Sequence, residues 1–127
     1  MGESFHDLAV WQRAMELTVE LYKLTATFPE TERYGLVNQL RRASVSIPSN
    51  IAEGYGRATT GEYLQFLGHA RGSACEVETQ LLIAKTLGFS RPESLVKAEE
   101  LSSEVGRMLR VMMQTLKARQ SARPPSP

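Results

Sequence analysis

Apolar residues recur along this chain with helical spacing in four stretches, and no stretch alternates as a strand does. In the first, Leu8, Trp11, Met15, Thr18, Leu21, Tyr22 and Thr25 form one stripe. Ser4 or Asp7 is placed to cap it, and Phe28-Pro29 ends it, because a residue before proline avoids the helical region. The second opens with Glu30 and Glu32 in its first turn and contains Pro48, which predicts a kink near Ser44 to Pro48 without a break. Gly56 is the expected left-handed cap. Thr59 and Glu62 have the spacing of a capping box and start a third helix on Tyr63, Phe66, Leu67, Ala70, Ala74, Val77, Leu81 and Ala84, which Gly88 ends. Ser90 and Glu93 give a second box with Pro92 in the first turn, followed by Leu95, Ala98, Leu101, Val105, Met108, Leu109, Met112 and Leu116.

The expected helices cover about residues 7–27, 30–56, 60–87 and 91–119. Four long helices with short joins predict an all-α, antiparallel up-down-up-down four-helix bundle over residues 1–120. Residues 121–127, SARPPSP, read as a disordered tail by composition.

The second helix has two faces. Leu36, Val37, Ala43, Ser44, Ile47, Ile51, Gly54 and Tyr55 fall within roughly 60° of Leu40 at 100° per residue, which is a core stripe. Gln39, Ser46, Asn50, Glu53 and Arg57 gather on one flank with Arg42 just behind. Glu53 and Arg57 have the favoured order for a helical ion pair. A solvated face ordinarily carries long, flexible Lys and Glu, whereas Asn, Ser, Gln and Arg suit fixed hydrogen bonding. The third helix has a similar flank in His69, Ser73, Glu76 and Gln80. If the flanks face each other, Glu76 meets Arg42 or Arg57; the alternative is two wet surfaces that never meet. Gly68 and Gly72, four apart in mid-helix, point to a close neighbouring backbone in a second subunit, or else to a tolerated local weakness. Leu82, Ile83 and Met113 lie outside or at the edge of the core stripes and favour oligomerisation.

Composition changes little. The chain has 127 residues, 42% hydrophobic and 23% charged, and a net charge of +1, so no global field argues for nucleic acid or membrane. The single cysteine, Cys75, allows no internal disulfide and suits a reducing cytoplasm; it reads as a small buried or half-buried thiol. No apolar run is long enough to span a membrane, and no signal peptide is visible. His6 and His69 have no partners at metal-ligand spacing, Gly54-x-Gly56 follows no strand, and no Ser/His/Asp arrangement makes a triad. No cofactor, metal or catalytic activity is expected. Arginine outnumbers lysine among the basic residues, and Arg107, Arg110, Lys117 and Arg119 cluster toward the end of the fourth helix.

A set of short motifs then carries a resemblance. These are Phe5, Leu8, Val10, Trp11 and Ala14; Phe28-Pro29; Tyr34-Gly35-Leu36; Gln39, Arg41, Arg42 and Ala43; and the run Ser46-Ile47-Pro48-x-Asn50-Ile51-Ala52-Glu53-Gly54. Phe66-Leu67, Ala70, Ser73 and Glu76 continue it. The pattern resembles the four-helix bundle family encoded in intervening sequences of bacterial 23S ribosomal RNA genes. Glu104-Val105-Gly106-Arg107 is also similar to the related accessory protein of diversity-generating retroelements. The resemblance implies a cytoplasmic, homopentameric ring. In the retroelement branch it implies a basic surface that meets a reverse transcriptase and nucleic acid.

The expectation is therefore a non-enzymatic, ring-forming scaffold or binding protein. Gln39, Arg42, Ser46, Asn50, Glu53, Arg57, Gly68, Gly72, Ser73 and Glu76 would build a subunit interface or polar network. Arg41, Arg71, Arg107, Arg110, Lys117 and Arg119 would be free to meet RNA, DNA or an acidic protein. The alternative is an adaptor that binds a protein partner without nucleic acid.

Overall fold

In a computed structural model, which describes residues 4–122, the chain forms four long helices: α1 (Ala9–Thr25), α2 (Leu36–Tyr55), α3 (Thr60–Leu87) and α4 (Pro92–Ser121). There is no strand among the described residues. Each helix packs on its sequence neighbours and α1 closes on α4, with no close backbone approach across either diagonal. That is the expected antiparallel bundle, and its most extensive interface is between α2 and α3. The expected disordered tail lies outside the described residues from position 123 onward; Ser121 still belongs to α4. Leu17, Leu21, Leu40, Ile47, Ile51, Leu67, Val77, Leu95, Val105 and Leu109 fill the centre.

Several element ends differ from the expectation. Glu30–Glu32 form a separate 3-10 turn, and α2 begins only after Gly35, whose φ of −106° and ψ of −110° lie outside the helical region. Glu32 then caps α2, its carboxylate accepting from the Leu36 amide at 3.1 Å. Gly56 ends α2 in an ordinary right-handed conformation; the left-handed cap is Gly88, φ 71°, at the end of α3. Thr59 caps α3 as expected, accepting from the Glu62 amide at 3.1 Å. Ser90 does not cap α4: Arg91 stands at that position without a side-chain bond, and Pro92 opens the helix. The Ser90 hydroxyl sits 3.4 Å from that of Thr27, beside the Phe28–Phe89 ring pair, so it ties the end of α1 to the start of α4.

The core face of α1 is rotated from the expected stripe. Val10, Ala14, Leu17, Leu21, Leu24 and Thr25 are buried, whereas Met15 and Tyr22 remain 39% and 42% exposed. Apolar side chains cover more than half of this helix, opposite a polar face of Gln12, Arg13, Glu16, Glu20 and Lys23, so periodicity alone did not fix which part of the apolar arc turned inward.

Pro48 sits inside an unbroken α2, and its missing N–H leaves the Ser44 carbonyl without its helical donor. Thr18 on α1 supplies the replacement, its one hydroxyl proton shared between the Ser44 oxygen and the Ala14 carbonyl of its own helix, each at 3.0 Å. The proline thus becomes a point of attachment between α1 and α2. Thr18→Val keeps the shape and removes the donor. It is expected to lower stability by about 1 kcal/mol, the ordinary net worth of such a bond. Urea denaturation followed by circular dichroism measures this, and an unchanged midpoint would count against the bond.

Candidate functional site

The two polar flanks do meet, and they meet within one chain. Ser73 on α3 donates to the Ser46 hydroxyl on α2 at 2.8 Å, and the Asn50 amide donates to the Ser46 carbonyl and hydroxyl oxygens at 2.8 and 2.9 Å. Ser46 is the junction because it lies beside the core stripe, close enough to the crossing for a short side chain to bridge. Beyond this triad the helices splay into a groove of about 380 Å³, lined by Gln39, Arg42, Glu76 and Gln80 among others. Arg42 and Glu76 share the groove without an ion pair. Nor does Glu76 reach Arg57. Arg57 lies over Phe66, ten residues or about 15 Å along α3 from Glu76. Arg57 pairs with Glu53 at 2.8 Å, as expected, and lies 4.5 Å from the centre of the Phe66 ring.

Within one chain the close approach of backbones falls at Gly54, while Gly68 and Gly72 stay open to a second subunit. A Cβ on Gly72 would meet nothing within 4 Å, and one on Gly68 only Met113 at 3.9 Å. A Cβ on Gly54 would come within 2.7 Å of the Phe66 Cβ and 3.3 Å of the Tyr63 carbonyl. Gly54 lay in the core stripe of α2 with two aromatics due opposite, and that was the signal available. Beside it the Tyr63 hydroxyl is buried without a partner among the described residues, and burial, with a smaller contribution from Tyr55, pushes its pKa up to about 12. It therefore stays protonated at neutral pH.

The basic candidates divide into separate places. Arg41 is not free: its guanidinium donates to the Thr25 hydroxyl at 2.9 Å and to the Tyr22 carbonyl at 3.2 Å, and it stacks 4.6 Å from the Tyr22 ring centre. It holds α2 to α1. Arg119 lies at the far end of α4, beside Ala58, Thr59, Thr60 and Gly61. Arg71, Arg107 and Arg110 instead converge on a cleft of about 220 Å³ between α3 and α4. Small residues open it: Ala74, Cys75, Ser102, Ser103 and Gly106 form its walls, and Glu78 also lines it. Arg107 is steadied by donating to the Ser103 hydroxyl at 2.7 Å, and none of the three arginines has a carboxylate partner among the described residues. Lys117, seven residues beyond Arg110, falls within about 20° of it on the helix, whereas Arg119 lies about 180° round. Cys75 is exposed at this cleft, not buried as its residue type suggested, because it sits one position past the core residue Ala74.

The ion pairs Arg13–Glu104 and Lys97–Glu20, with exposed cations and half-buried carboxylates, join α1 to α4, and the Glu16 and Glu104 carboxylates raise the Arg13 pKa above its ordinary value. Among the described residues no group of three His, Cys, Asp or Glu is placed to hold a metal ion, and no helix is long and apolar enough to cross a membrane.

Residues 6–111 match a family model described as 23S rRNA-intervening sequence protein. The fold is similar to the crystal structure of a protein of unknown function from the S23 ribosomal protein family of Bacteroides thetaiotaomicron, with a TM-score of 0.75 and 21% identity. That similarity covers 83% of this chain and 98% of the other. No curated protein matches the chain.

Proposed function

The chain belongs to the 23S rRNA-intervening sequence protein family, and from that premise we propose that it is a non-enzymatic, oligomeric binding protein that contacts RNA through the α3–α4 face. The observation that carries this reading is the convergence of Arg71, Arg107 and Arg110 on one cleft, with Lys117 on the same side of α4. Guanidinium groups without carboxylate partners are ready to meet phosphate oxygens. The near-neutral net charge of +1 means that affinity must come from this local patch, repeated in an assembly, and not from a general field.

Self-association is supported by apolar side chains left outside the bundle. Met15, Val19 and Tyr22 are spaced to form a stripe on α1, and Leu82, Ile83 and Leu87 stand exposed on α3. A protein-only adaptor is the second reading. It is favoured by a groove of about 540 Å³ in which Leu8, Val10, Met108, Val111 and Met112 supply an apolar surface.

RNA binding followed by fluorescence anisotropy over a salt series tests the first reading. The logarithm of affinity is expected to fall with the logarithm of salt concentration, by about 0.7 per phosphate contact for a single strand. Arg110→Glu combined with Lys117→Glu should weaken binding at low salt about tenfold or more, while light scattering shows an unchanged mass. Unchanged affinity in a variant of unchanged mass would sink the basic surface and leave the adaptor.

A further inference from the structure

General contact with an RNA backbone needs only exposed cations, and the α3–α4 cleft holds something more. Ser102 lies on its wall, is 5% exposed, and its hydroxyl oxygen has no hydrogen-bond partner among the described residues. A serine inside a helix commonly returns its proton to a carbonyl one turn back, and a buried polar group left unpaired is costly. An oxygen-rich ligand in the cleft would accept that proton. Around it stand three guanidinium groups and one carboxylate, Glu78, a local balance of +2 from 3 − 1. That excess matches the two charges of a phosphate monoester; a backbone diester carries one.

The cleft also has a neighbour. Glu78, Ser102 and Ser103 also line a neighbouring hollow of about 230 Å³, which Leu81 and Leu82 make largely apolar. Glu99 stands at that hollow, paired with Lys85 at 3.3 Å. A cationic chamber beside an apolar one fits an anionic group attached to a flat organic body. Gly106 keeps the cationic chamber open, since a Cβ there would meet nothing within 4 Å.

We propose that this cleft binds the phosphate monoester of a nucleotide. Arg71 and Arg110 grip the phosphate, Ser102 donates to it from below, and the nucleoside lies over Leu81 and Leu82. The nucleotide is free or is the 5′ end of an RNA strand; the second source rests on the RNA reading above, and the first does not.

Cys75 offers a probe, being the single cysteine, exposed, and at the cleft. The rate of its alkylation by neutral iodoacetamide is measured in the full chain with adenosine, AMP, or short RNA bearing a 5′-phosphate or a 5′-hydroxyl. AMP is expected to slow alkylation and adenosine to leave it unchanged. Arg71→Gln and Ser102→Ala should each weaken AMP protection about tenfold, and the serine change removes only an unpaired hydroxyl, so the fold is kept. Protection by AMP equal to that by the 5′-phosphate strand assigns the site to free nucleotides, and protection by that strand alone assigns it to RNA ends. Equal protection by AMP and adenosine, or an AMP effect indifferent to both substitutions, overturns the proposal. If both RNA strands protect alike and AMP does not, backbone phosphates account for binding; the RNA reading then stands and this one falls. AMP protection without any RNA binding has the opposite meaning.

Discussion

Gly54→Ala is expected to destabilise the protein by about 1–3 kcal/mol, although the same exchange in an ordinary helix stabilises it by up to about 1 kcal/mol. The added methyl group would sit 2.7 Å from the Phe66 Cβ, 3.0 Å from the Tyr63 Cδ1 and 3.3 Å from the Tyr63 carbonyl. Two of these atoms are backbone or next to it, so no flexible side chain can swing aside. The helices must separate instead, and they do so at the most extensive interface of the bundle. Separation there also pulls on the Ser46–Ser73 hydrogen bond two turns away. Gly72→Ala is the control, because its methyl group meets nothing within 4 Å and only the helix-propensity gain remains. Urea midpoints of the two variants should therefore move in opposite directions. A Gly54→Ala variant as stable as Gly72→Ala would show that α2 and α3 do not approach this closely.

Leu17→Ala should cost about 2–5 kcal/mol, and Met15→Ala less than about 1 kcal/mol. Leu17 is fully buried at the centre of the bundle, so truncation removes apolar contacts and leaves a cavity that the neighbouring helices fill only in part. Met15 lies two positions away and is 39% exposed, with much of its surface already in water. The pair decides the rotation of α1, since a core built on Met15 and Tyr22 would reverse the order. Chemical denaturation of both variants at one fixed protein concentration reads the difference.

These two experiments fall where local pattern and packing part company. The α3 stripe was read correctly, with Leu67, Ala70, Ala74, Val77, Leu81 and Ala84 buried and Tyr63 and Phe66 half-buried, although Leu82, Ile83 and Leu87 interrupt its polar side. The α1 stripe was not, because Val10, Trp11, Ala14, Met15, Leu17, Val19, Leu21 and Tyr22 spread over more than half of the helix, opposite a polar face of Gln12, Arg13, Glu16, Glu20 and Lys23, and so leave the inward part of that arc open. The inward side was then chosen by fit: compact Ala14 and branched Leu17 and Leu21 pack at the centre, while Met15 and Tyr22 are left outside. Among the candidate site residues, the membership of the polar flanks on α2 and α3 could be read from spacing. That Ser46 meets Ser73 and that Arg57 lies far from Glu76 depends on how far one helix slides along the other. Arg41 looked like the other free cations until the Thr25 hydroxyl and the Tyr22 ring were brought beside it.

By itself the sequence determined four helices, most of their ends, the capping of α3 by Thr59 and Gly88, and the family. Each of these depends on residues within a turn or two of one another, or on a run of letters. Tertiary structure alone decided that Thr18 replaces the donor lost at Pro48, that Gly54 is the point of closest approach, and that Arg71 joins Arg107 and Arg110 around Ser102. Each of those facts joins two helices. It is set by their register and rotation, which follow from packing the whole core at once and from no single stretch of chain.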